Sequence, residues 1–224
     1  MNPAPVTICI QSPGLPGDFL SKILMQNVAA YAILKKRKGE NTVSAWKHLM
    51  TITRHKRLVM QGCFKVGLYW QGITHDLSKY TPTEFLVGAR YFQGTRSPNA
   101  AEREDKGYSE AWMHHKGRNR HHYEYWQDVS MVTGVYEPVP MPRRYLVEMV
   151  MDRRAASMVY KGKQYTSASA YEYFIRSAER EWMHPQTCRE LDYLLTMLRD
   201  EGEEKTFCYL KDHVLPGKPF PWEE

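Results

Sequence analysis

A chain of 224 residues suits one globular domain with extensions, and 42% apolar with 25% charged residues excludes wholesale disorder. No segment reaches the roughly 18 uncharged apolar residues of a membrane span, which excludes an integral helical membrane protein. The 31 Lys and Arg against 25 Asp and Glu leave a net charge of +6, a balance that suits an anionic partner.

Residues 1–16 carry Pro3, Pro5, Pro13 and Pro16 and read as an extended arm, with Val6–Ile10 a candidate edge strand. The short apolar run there has no early basic residues before it, so no secretory signal is expected and the expected location is cytoplasmic. Apolar residues recur near a 3.6 period from Asp18 to about Lys38, predicting a helix with Asp18 as N-cap and a basic end, Lys35–Lys38. A second helix is predicted from Ser44 to Tyr69. After a break at Gly72 comes ITHDLSKY, and Thr81-Pro82-Thr83-Glu84 reads as a helix start in which Glu84 closes a capping box. Residues 93–107 are polar and read as a loop or lid beside Tyr91 and Phe92. Two helical pieces, 108–117 and 120–132, are separated by Gly117-Arg118-Asn119. Three prolines interrupt the chain between Glu137 and Pro142, helices follow over 143–160, 168–182 and 186–200, and 214–224 is a Pro-rich tail. Without an internal repeat or a pair of alternating strands, the fold class is all-α. Cys9, Cys63, Cys188 and Cys208 are scattered, which argues for reduced thiols and against a zinc ribbon or a disulfide framework.

The histidines are placed unevenly. His48 and His55 lie seven apart on one helix, His75-Asp76 follows, and His114-His115 and His121-His122 flank a basic turn. Asp152 stands inside a predicted core helix, where an unpartnered carboxylate is costly. Imidazole and carboxylate ligands converging from several helices suit Zn, Fe, Mn or Ni. Any single histidine of this set has a plain alternative as a hydrogen-bonded or surface residue.

His55, then His75-Asp76-Leu77-Ser78-Lys79, then the late Asp152 resembles the HD-domain superfamily of metal-dependent phosphohydrolases. The resemblance implies an HD-like helical bundle in which His55, His75, Asp76 and Asp152 hold a divalent metal (Mn, Fe, Zn or Ni) and Lys79 contacts substrate phosphate. Ser78 departs from the common Gly, and Thr74 from the usual apolar residue. HD members with two ions use further histidines between the His-Asp pair and the late Asp, which here offers His115 with His121 or His122. On a continuous helix a spacing of seven puts His114 with His121, or His115 with His122, on one face; His115 and His122 are the pair taken here, although Gly117 interrupts such a helix. More narrowly, HDLSKY-x-x-x-EF followed by AWMHHKGRNRHHYEYW resembles a bacterial and phage family of unknown function over roughly residues 44–200. The implied organisation is an N-terminal arm and helix over 1–43, a metal-binding helical domain over 44–200, and a C-terminal tail over 201–224 packing on it.

The expected chemistry is hydrolysis of a phosphate ester, a nucleotide or phosphorylated metabolite, through one or two ions. Asp76 would orient the water, Lys79 and Arg118 would offset phosphoryl charge, and Trp112, Tyr123 and Trp126 would stack on a base. For these aromatics the plain alternative is core packing. Within the same fold a di-iron oxygenase is the rival. Outside it stands a non-catalytic nucleic-acid-binding protein using Lys35–Lys38 and Lys116–Arg120. No docking motif for nucleic acid, no GxSxG elbow and no Gly-rich phosphate loop is present.

Overall fold

The computed structural model describes residues 42–223. The predicted arm, the strand Val6–Ile10, the helix from Asp18 with its Lys35–Lys38 end, and Cys9 lie outside the described residues. Helix α1 (Thr42–Lys65) is followed by α2 (Tyr69–Thr74), a 3₁₀ turn (Leu77–Tyr80), α3 (Pro82–Arg90), α4 (Pro98–Lys106) and α5 (Glu110–Lys116). A 3₁₀ turn (Tyr123–Tyr125) leads into a hairpin of β1 (Gln127–Val129) and β2 (Tyr136–Pro138). Then come α6 (Arg143–Lys161), α7 (Ser169–Arg176) and α8 (Pro185–Tyr209), the last running into a π turn (Leu210–Val214). The fold is all-α, with the hairpin as its one sheet among the described residues.

Three expectations from the sequence are corrected. The helix predicted over Ser44–Tyr69 ends at Lys65, and Gly67 takes φ +87°, a value a side chain disfavours, so that the chain can turn into α2. Residues 93–107 are not one loop: Pro98 opens α4 and Gly107 (φ +81°) closes it. Residues 120–132 do not form a helical piece: a single 3₁₀ turn at Tyr123–Tyr125 is followed by Gln127, Asp128 and Val129 pairing antiparallel with Pro138, Glu137 and Tyr136. The hairpin hides from a hydrophobic pattern because it is short and largely exposed, with nothing apolar to bury on alternate positions.

The main core is built where α1, α6, α7 and α8 meet, around Val59, Cys63, Leu146, Val150, Met151, Phe174, Leu191, Leu194 and Leu198. Phe207, Leu210, Val214 and Phe220 bring the C-terminal segment into this core. A smaller cluster of Ala45, Leu49, Ile52, Phe85 and Ala89 locks α3 onto the first half of α1. Between the two clusters, α1 and α6 lie side by side with polar residues turned inward: His55 and Lys56 on α1, Glu148 and Asp152 on α6.

Candidate metal centre

The α1–α2 connection returns the chain so that His75 ends α2 and Asp76 begins the following 3₁₀ turn. Asp76 has φ 54° and ψ 24°, the only non-glycine with positive φ among the described residues. Aspartate visits this region at lower cost than most residues, and such strain is commonly held at functional sites. Lys56, buried on α1, donates to the carbonyls of Ile73 and His75, both at 2.7 Å, and so ties α1 to this turn. Burial holds the Lys56 ammonium down at about pKa 8 against the opposing pull of Asp76 and Glu148.

The conformation at Asp76 points its two carboxylate oxygens at different partners. Oδ2 lies 3.5 Å from His55 Nε2 and 3.3 Å from His75 Nε2. Asp152 Oδ1 joins this group at 2.9 Å from His55 Nε2 and 3.5 Å from His75 Nε2. On the other side, Oδ1 lies 3.3 Å from His115 Nε2 and 3.5 Å from His121 Nε2, and His122 completes the second group. In each group one atom from every residue lies within 4.8 Å of all the others. The separations of 2.9–3.5 Å match the edges of a coordination polyhedron with metal–ligand bonds of about 2.1 Å.

The remaining ring nitrogens fix the tautomers. His75 Nδ1 donates to Glu148 Oε1 at 2.9 Å, and His115 Nδ1 to Glu84 Oε2 at 2.8 Å. His121 Nδ1 lies 3.1 Å from Glu148 Oε1. An ionised carboxylate only accepts, so each of these Nδ1 atoms carries a proton, and in the neutral ring each Nε2 keeps a lone pair facing the centre that an ion could take in place of a second proton. Asn119 Nδ2 lies 3.1 Å from His115 Nδ1, but with that nitrogen protonated the amide is satisfied instead by Ser78 Oγ and the His115 carbonyl, both at 2.8 Å. The Nε2 atoms of His115, His121 and His122 and both oxygens of Asp76 are buried and make no aligned hydrogen bond. Lys79 Nζ touches Asp76 Oδ2 at 2.5 Å as an ion pair. With Oδ2 so paired, four orphaned polar atoms remain in one buried cluster, which is what a divalent ion would satisfy, and an imidazole–carboxylate donor set fits Zn, Mn or Fe.

The electrostatics agree with that chemistry. Burial would raise the Asp76 carboxyl, but His75, Lys79 and His115 hold it well below the ordinary carboxylate range. Burial likewise opposes ionisation of Asp152, and hydrogen bonds from His55 and His75 overcome it. His75 and His115, which burial alone would lower, are raised chiefly by Asp76, so without an ion these sites attract protons. His122 is pushed well down by burial and then by His121 and His115.

A cavity of about 550 Å³ opens onto the cluster, lined by His55, His115, His122, Asp152 and Lys79. Phe92, Trp112, Tyr160 and Tyr173 add aromatic walls, and residues 95–100, at the start of α4, form part of its rim. Of the residues singled out in the sequence, the structure gathers His55, His75, Asp76, Asp152, His115 and His122 into the two groups and places Lys79 and Trp112 on the cavity wall. Arg118 and Trp126 are not brought there. Arg118 is exposed and donates to the His114 carbonyl, whereas Trp126 packs against Tyr145 and donates to the Arg120 carbonyl at 2.7 Å. His48 is buried against Phe85 and Phe92, apart from both groups.

Two residues, Glu84 and Glu148, escaped the sequence reading as parts of the site, and His121 entered it only as the alternative to His122. His121 belongs to the second group beside His122, because the chain leaves α5 after Lys116 and the spacing of seven no longer sets a helix face. Glu84 does not cap α3; it accepts from His114 (2.6 Å) and His115. Glu148 stood in plain view, an acid inside the apolar run Leu146–Met151 with nothing else to explain it.

A family of unknown function, DUF5662, matches residues 44–197, more than half of the chain. The chain belongs to this family. The match runs from the start of α1 into α8 and includes every residue of the two groups. No curated protein and no solved structure matches the chain.

Proposed function

We propose that this protein is an HD-type hydrolase of phosphate monoesters with a two-ion centre. One ion would be held by His55, His75, Asp76 and Asp152, the other by Asp76, His115, His121 and His122. The observation that carries the reading is the division of Asp76, with one oxygen facing each histidine group. Charge supports it. Asp76, Asp152, Glu84 and Glu148 stand against Lys56 and Lys79 at the centre, and the neighbouring Arg153 and Glu179 pair with each other, which leaves two net negative charges. Two divalent ions turn this into two net positive charges, the complement of a phosphate monoester dianion.

Ions bound there supply acidification of water and polarisation of a phosphoryl oxygen. The chain's own residues do the rest. Asp76 orients the attacking water. Lys79, part-exposed at the cavity wall, meets the charge that grows on the phosphoryl oxygens in the transition state. Trp112, on the cavity wall with its ring centre 4.7 Å from that of His122, brings an aromatic contact for a heterocycle, and the cavity volume suits a mononucleotide or similar metabolite.

The test is phosphate release from nucleoside monophosphates and p-nitrophenyl phosphate by the Mn²⁺-loaded protein. The expected result is metal-dependent turnover, reduced about 10²–10³-fold in Lys79→Ala. Retained iron with an oxygen-dependent product, and no phosphate released from any monoester, would contradict the reading.

A further inference from the structure

Glu148 sits behind both histidine groups at once. Its Oε1 is 2.9 Å from Nδ1 of His75 in the first group and 3.1 Å from Nδ1 of His121 in the second. His75 and His121 are each 1% exposed and Glu148 5%, so no water replaces these contacts. The two rings lie 4.4 Å apart, both anchored to one carboxylate oxygen. Glu84, the other carboxylate at the back of the centre, touches His115 of the second group and His114, which belongs to neither. The two acids therefore differ in reach.

We infer that Glu148 is a positioning residue shared by the two half-sites, presenting Nε2 of one histidine in each, whereas Glu84 serves the second half-site alone. This rests on the two-ion reading above. Accepting from Nδ1–H holds each ring in the tautomer whose Nε2 lone pair faces the centre, and fixes its rotation. Losing the acceptor frees both rings. A glutamine at 148 keeps a carbonyl oxygen that accepts both bonds but gives up the charge that makes the imidazoles better donors.

The test is calorimetric titration of the chelator-stripped full chain with Mn²⁺ alone. Wild type is compared with Glu148→Ala, Glu148→Gln, Glu84→Ala and Val147→Ala, a fully buried neighbour of Glu148 that touches no candidate ligand through a polar atom. Wild type is expected to bind two ions. Glu148→Ala weakens both by about 10–100-fold, Glu148→Gln weakens both by less, Glu84→Ala weakens one, and Val147→Ala weakens neither. Should Glu148→Ala fail to fold, Glu148→Gln decides by whether both affinities fall. Two ions in wild type with only one weakened by the Glu148 changes, or an equal effect from Val147→Ala, overturns the shared role and leaves the two-ion reading standing. No Mn²⁺ bound by wild type overturns both.

Discussion

Asp76 is where backbone and chemistry meet. Its left-handed conformation turns the two carboxylate oxygens to separate histidine groups, and asparagine tolerates the same conformation. Asp76→Asn is therefore expected to fold while losing ions from both half-sites, read as metal content by mass spectrometry beside an unchanged circular dichroism spectrum. His48 gives a different residue-scale prediction. Burial, with a smaller push from Lys79, lowers its pKa from 6.5 to about 4. Below pH 6.5 the unfolded chain takes up a proton that the folded chain refuses, so stability is lost as pH falls from about 6.5 and the loss levels off below about 4. At 1.36 kcal/mol per pKa unit this amounts to about 3 kcal/mol. Urea unfolding of the chelator-stripped protein at pH 7.5 and pH 4.5, where most of that loss has developed, should show His48→Gln losing about 2–3 kcal/mol less than wild type. Equal losses would show that the ring titrates normally.

At the scale of elements, the seam between α1 and α3 is set by Gly88. A Cβ there would lie 2.3 Å from His48 Nε2, inside a buried ring that has Phe85 and Phe92 behind it. Helix propensity favours Gly88→Ala by up to about 1 kcal/mol, and overpacking opposes it by about 1–3 kcal/mol. Net destabilisation by about 1–2 kcal/mol is expected, largely relieved in the double variant with His48→Ala; additive effects in that cycle would place the two residues out of contact. The same elements show what the sequence made legible. Periodicity and caps located α1, α3 and α6, because their apolar faces are long and buried. His55, His75, Asp76 and Asp152 were legible because their spacing is itself the motif. Local signals misled where a side chain had two uses. Glu84 has the spacing of a capping residue, yet burial beside two histidines makes it a hydrogen-bond acceptor for them. His121 and His122 could not be told apart by helical spacing, since the helix ends before reaching them and both rings turn inward.

Over the whole molecule, the centre joins the two packing clusters, because α1 contributes to both and α6 crosses it at Glu148 and Asp152. An ion that binds only the folded chain stabilises it by about 2.7 kcal/mol per site at a hundredfold excess over its dissociation constant. For a chain of this size, chelation should lower the melting temperature of the loaded protein by roughly 10–20 °C for two ions. The Asp76→Asn variant should be indifferent to chelator. Because Asp76 raises His75 and His115 in the ion-free state, loading at pH 7 should also release protons, and affinity should weaken as pH falls and those imidazoles hold their protons more fully. Titrations in buffers of different ionisation enthalpy check this, and a buffer-independent heat would contradict it. The measurement closest to the central claim is anomalous diffraction from crystals loaded with Mn²⁺. Two peaks flanking Asp76 are expected, one among His55, His75 and Asp152 and one among His115, His121 and His122. A single peak, or none within reach of Asp76, would contradict the two-ion centre.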